Sequence, residues 1–142
     1  MSSSHAIRRT GIIMCGMATA ALLAGVSYAA SRSELAKSAE RLERETRAAA
    51  AHADTVSPVY RDDVHELAQR VAEFRSAVET DTVSDSEVSA DFKRVAVSYE
   101  QFRAEVDHAR TQQSYADLRA VTAPYEDIER ELGIHAGYGT RE

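Results

Sequence analysis

Between Gly25 and Gly133 the chain contains no glycine, and its two prolines, Pro58 and Pro124, stand far apart. A sheet of short strands needs turn chemistry roughly every 8–12 residues, with glycine supplying left-handed φ and proline a fixed φ. Almost none is on offer, so the chain is expected to build long helices. At 142 residues with 44% hydrophobic content it has material for one domain.

Apolar residues then recur at helical spacing in four segments. In the first, Ser31-Arg32-Ser33-Glu34 reads as a capping box that opens a helix, followed by Leu35, Ala39, Leu42, Thr46, Ala49, Ala53 and Val56 on one seam. Ser57 before Pro58 reads as an N-cap and first-turn pair, leading into Tyr60, Val64, Leu67, Val71, Phe74 and Val78. Val83-Ser84-Asp85-Ser86-Glu87-Val88 combines a capping box with a hydrophobic staple. The third stripe follows as Val88, Phe92, Val95, Tyr99, Phe102, Val106 and Ala109, and the polar stretch Arg110 to Ser114 ends or bends it. The fourth puts Tyr115, Leu118, Val121 or Thr122, Tyr125, Ile128 and Leu132 on one face, with Pro124 in its middle. A proline there forfeits the bond to the Ala120 carbonyl, which predicts a kink or a break. Gly133 before Ile134 reads as a helix C-cap. The expected fold is an all-α, antiparallel up-and-down four-helix bundle, with a three-helix bundle as the alternative should the fourth segment break.

The N-terminus reads as an address. His5, Arg8 and Arg9 precede an uncharged stretch, residues 10–30, that ends in small residues. This is the pattern of a secretory signal, residues 1–29, cut after Ala29 or, failing that, Ala30. The alternative is an uncleaved inner-membrane anchor over residues 10–30, its apolarity diluted by Gly11, Gly16, Gly25 and many alanines. Cys15 sits too early in the apolar run, behind Met14, for a lipoprotein site. Arg8-Arg9-Thr10-Gly11-Ile12 matches a twin-arginine signal only weakly. The domain plan is thus a leader at 1–29, a bundle at 30–134 and a C-terminal tail at 135–142, and the expected location is the periplasm or envelope of a bacterium.

The formal charge is −6, from 17 Lys+Arg against 23 Asp+Glu, and losing Arg8 and Arg9 leaves 15 against 23, or −8. Such a balance offers no basic face to nucleic acid or anionic lipid. Beyond residue 17 there is neither Cys nor Met, so disulfides, thiolate or thioether metal sites and a Cys-x-x-Cys-His haem attachment are all excluded from the body.

Two acid-x-x-His motifs are the sharpest chemical pattern: Asp62 with His65, and Glu105 with His108. In di-metal carboxylate bundles this spacing aims both ligands inward. Helical phase opposes that here, since His65 and His108 lie about 140–150° from the apolar stripes of their own segments, and no metal or other cofactor is expected. His52, near the end of the first helix, fits a role at the helix dipole. Tyr60, Tyr99, Tyr115 and Tyr125 all fall on the apolar seams and could line a ligand pocket between helices, or reach partners at the bundle ends. Arginine-rich faces carry i,i+4 pairs such as Glu40 with Arg44 and Glu43 with Arg47. No Ser-His-Asp or Cys-His arrangement and no glycine-rich phosphate loop is present. The expected function is therefore non-catalytic: protein contact or a structural role in the envelope, with a homodimer compatible with the thin core. The rivals are a small-ligand or metal carrier and a membrane-anchored bundle.

Overall fold

The structure, a computed structural model, describes the backbone of residues 20–134 and the side chains of residues 31–134. The expectations for a leader at 1–29 and a tail at 135–142 fall largely outside the described residues. Four helices follow one another: α1 (Ala20–His52), α2 (Pro58–Glu79), α3 (Asp85–Ala109) and α4 (Gln112–Glu131), with a single 3-10 turn, Ala53–Thr55, between α1 and α2. No strand occurs among the described residues. The chain is an all-α four-helix bundle. α1 packs on α2 and α4, α2 packs also on α3, and of the neighbouring pairs α3 and α4 approach each other least.

The caps explain the boundaries. Ser57 Oγ accepts from Tyr60 N–H at 3.0 Å, with Pro58 in the first turn where its missing donor costs nothing. At α3 the Ser84 hydroxyl accepts from Glu87 N–H, and the Glu87 carboxylate accepts from Ser84 N–H at 2.9 Å, the reciprocal box read from the sequence. Arg110 closes α3 in a left-handed conformation, φ 50°, and Thr111 at once caps α4 by accepting from Ser114 N–H. Gly133, φ +65°, ends α4: its N–H reaches the Arg130 carbonyl and Ile134 N–H reaches that of Glu129, both orphan acceptors of the last turn.

The interior is formed by the expected stripes of α2 and α3, whose members from Tyr60 to Val78 and from Val88 to Val106 are buried. α1 adds Leu35, Ala39, Leu42, Thr46 and Ala49, and the turn after it adds Ala53. Tilted ring pairs, Phe74 with Phe92 at 5.4 Å and Tyr60 with Phe102 at 5.6 Å between centroids, join α2 to α3.

Three expectations are corrected. Ser31 and Glu34 do not open α1, which already runs from Ala20. The residues before Ser31 are rich in alanine and leucine, strong helix formers that give the ladder no reason to stop, and Glu34 pairs with Lys37 instead. Pro124 does not break α4, which continues to Glu131. Its ring is buried beside Val121, Tyr125 and Ile128, and Ala120, whose carbonyl loses a donor, is exposed, where water can replace it. Finally, the first turns of α4 depart from the expected face: Ser114 and Asp117 point inward and Tyr115 is 40% exposed, whereas Val121, Tyr125 and Ile128 are buried as expected and Leu118 and Leu132 pack partly buried against the core.

Candidate functional site

The acid-x-x-His motifs lie on the outer surfaces of α2 and α3. Asp62 and His65 are exposed. His108 is exposed as well, its Nδ1 3.5 Å from a carboxylate oxygen of half-buried Glu105. Among the described residues no group of three or more His, Cys, Asp or Glu side chains is placed to hold a metal ion. Asp63 is the electrostatic centre of this acidic strip. Partial burial, then the charges of Glu105, Glu66 and Asp62, hold its carboxyl above the ordinary 3.8.

The four tyrosines divide. Tyr99 and Tyr125 stack at 4.0 Å between centroids across the α3–α4 seam, and Tyr125 stacks in turn on Phe92. These rings bridge the neighbouring helices that approach least closely, and beside them lies a groove of about 310 Å³ lined by both tyrosines with Arg103, Leu118, Thr122 and Glu126. The Tyr99 hydroxyl is 2.8 Å from Thr122 Oγ1. Burial raises the pKa of both tyrosines, and for Tyr125 the nearby Glu129 adds to the effect. Tyr115 does not join them, because in the first turns of α4 it stands at the surface. Tyr60, fully buried, belongs to a different cluster.

That cluster went unread in the sequence. Asp117, 6% exposed, receives the Tyr60 hydroxyl at 2.8 Å on Oδ2 and the Gln113 amide at 2.8 Å on Oδ1. The imidazole of His52 stands 3.3 Å from the same Oδ1. Burial first, then the bond to Asp117 and its charge, push the Tyr60 hydroxyl far above its ordinary 10.0, so it remains a donor. Three helices meet here: α1 sends His52 from its last residue, α2 sends Tyr60 from its first turn, and α4 sends Asp117. The carboxylate can orient the imidazole as an orienting group does in acid–base sites: His52 Nδ1 donates to Asp117 in one tautomer and accepts from the Gln113 amide in the other. The arrangement ties three helices together.

Two further polar ties are structural. Glu43, 4% exposed, is clasped by Arg47 on α1 and Arg75 on α2, and Arg75 continues to Glu79 at 2.7 Å. Arg32 reaches from α1 to the end of α2 and the turn after it, donating to the carbonyls of Val78 (3.1 Å), Ala77 (3.4 Å), Thr80 (3.1 Å) and Val83 (3.0 Å).

The outer face of α3 carries exposed apolar side chains. Val97 is 62% exposed, and it shares a shallow apolar patch with Ala96, Glu100, Gln101 and Ala104. Among the described residues no helix is long and apolar enough to cross a membrane. No protein-family model, curated protein or solved structure matches the chain.

Proposed function

We propose that this chain is an exported, non-catalytic helical-bundle protein that acts through protein contact, with the outer face of α3 as its contact surface. Export is supported by the n-region, apolar stretch and small residues that open the sequence. The contact surface is supported by one observation: Val97, directly opposite the core stripe of α3, is 62% exposed, and Ala90 and Ala104 repeat one heptad to either side of it. Single exposed apolar residues are ordinary on protein surfaces, whereas an aligned series with an apolar patch marks a surface that is covered in use. The test is a photo-crosslinking residue at Ala104, compared with one at Glu66 on α2, in cells making the full chain. Protein adducts from position 104 and none from 66 are expected. Equal yields from both, or none from 104, would sink this reading.

A second reading, a small-ligand carrier, is favoured by the groove of about 310 Å³ between α3 and α4, which is at the lower end of the volumes of small-molecule sites. Glu100, Glu126 and Glu129 on its walls favour an organic cation. Native mass spectrometry of protein from its own envelope fraction separates the readings, since a carrier retains extra mass. The same spectrum reports the N-terminus, and an intact Met1 would favour a membrane-anchored bundle.

A further inference from the structure

We infer that the partner seated on the outer face of α3 is a second copy of this chain, with the two α3 helices antiparallel about a two-fold axis at Val97. This rests on the contact-surface reading above. At about 100° per residue, Val97 points straight away from the core positions Val88 and Val106, and Ala90 and Ala104 fall within about 20° of it. Lys93 and Glu100 lie together on one flank, and Arg94 and Gln101 on the other. An antiparallel pair related by a two-fold axis sets each flank against the same flank of its mate, with positions before Val97 facing positions after it.

That single rule produces complementary neighbours around the axis. Ala90 lies over Ala104 of the partner subunit, small against small, so the helix axes can come within about 8–10 Å. Lys93 faces Glu100 of the partner subunit, and Arg94 faces Gln101 of the partner subunit. No like charges face each other at these central positions. In a parallel pair the opposite flanks would face each other, bringing Lys93 against Arg94 of the partner subunit, a repulsive contact on both sides of the interface.

The residues involved are free to pair. Lys93 makes no ion pair among the described residues, while Arg94 pairs with half-buried Asp91 and Glu100 with exposed Arg103 at i,i+3 spacing, contacts that surface side chains exchange at little cost. One helix pair is a small interface, below about 1,200 Å² in total, so the dimer is expected to form with a micromolar dissociation constant.

Three variants of the full chain, in a Cys15→Ser background, test the register. Val97→Cys is expected to give a covalent dimer on mild oxidation, because the axis places the two sulfurs together. Ala90→Cys and Ala104→Cys are each expected to give no covalent dimer alone and to cross-link when mixed. In sedimentation, Lys93→Glu and Glu100→Lys should each weaken association by about tenfold, and the double variant should restore it. All these positions are exposed, and helical circular dichroism checks that folding is unchanged. A wild type that stays monomeric at about 1 mM, or a Val97→Cys variant that cross-links no faster than Glu66→Cys, overturns the dimer. If position 104 still captures a different protein in cells, the contact-surface reading survives while the second copy as partner is refuted.

Discussion

Removing both ends of the Tyr60–Asp117 hydrogen bond should cost less than the two single removals added together. Tyr60→Phe deletes only the hydroxyl, since the ring keeps its place against Phe102 and leaves no cavity. It strips a donor from a carboxylate that is 6% exposed, and a bond to a charged group contributes about 1.5–3 kcal/mol. Asp117→Ala leaves the fully buried Tyr60 hydroxyl without an acceptor, for about 1–3 kcal/mol. The gain in helix propensity from Asp to Ala offsets roughly 0.5 kcal/mol of that. His52 and Gln113 are exposed and can turn to water. In the double variant neither orphan exists, so its cost should fall short of the sum of the singles by about 1.5–3 kcal/mol.

Urea unfolding followed by circular dichroism measures all four proteins. In thermal melts each kcal/mol should appear as about 4–8 °C for a body of this size. If the double-variant cost equals the sum of the singles within about 0.5 kcal/mol, the two groups are not coupled and the assignment of Asp117 as the tie among three helices is wrong.

At the start of α3, Ser84→Ala should destabilise by roughly 0.5–2 kcal/mol, with exposed His108→Ala as a near-silent control in the same melts. The Ser84 hydroxyl and backbone N–H hold the Glu87 carboxyl below its ordinary 4.5, so its contribution is present above that value and lost as pH falls through the depressed one. The stability gap between wild type and Glu87→Ala should therefore close between neutral pH and about pH 3, and a gap independent of pH would remove the charged cap from the account. Arg32→Met keeps an apolar stem while taking the only side-chain donor from the Val78 and Val83 carbonyls, those of Ala77 and Thr80 keeping backbone donors, and is expected to cost about 1–3 kcal/mol; faster hydrogen exchange at residues 78–84, with α4 unchanged, is the local signature to look for.

Helices α2 and α3 were legible almost residue by residue, because in each the buried positions are nearly all on the apolar stripe, with buried Ser98 and exposed Val59 and Val97 as the exceptions. In the first turns of α4 they are not. Tyr115 and Leu118 outrank Ser114 and Asp117 on any hydrophobic scale, and the phase there is decided instead by a hydrogen bond to Tyr60, 57 positions away. A buried acid whose partners lie on other helices leaves no periodic trace. The same holds for Arg32, whose acceptors are backbone carbonyls and so have no identity in the sequence. Glu43 with Arg47 was readable as an i,i+4 pair, but Arg75, which completes the clasp, was not, and Arg44 turned to Glu45 in place of Glu40. Pro124 shows a local rule yielding to packing: the flanking residues Val121, Tyr125 and Ile128 are anchored in the core, which holds the helix through the missing bond.

A chain delivered N-terminus first can zip α1 to α2 and α2 to α3 as each arrives. One face of α1 must wait for the last helix, as the contact of Ser38 with Glu131, 93 positions apart, makes plain. While it waits, whatever it would bury is open to other chains, and exposed apolar surface on a half-made fold is what drives misassembly. Among the described side chains the aromatic rings are on α2, α3 and α4, whereas α1 gives the core Leu35 and Leu42 and otherwise the small Ala39, Ala49 and Thr46. The described part of the helix that stays incomplete longest thus offers small and aliphatic side chains without a ring, and the ring of Tyr125 comes with the partner that arrives last.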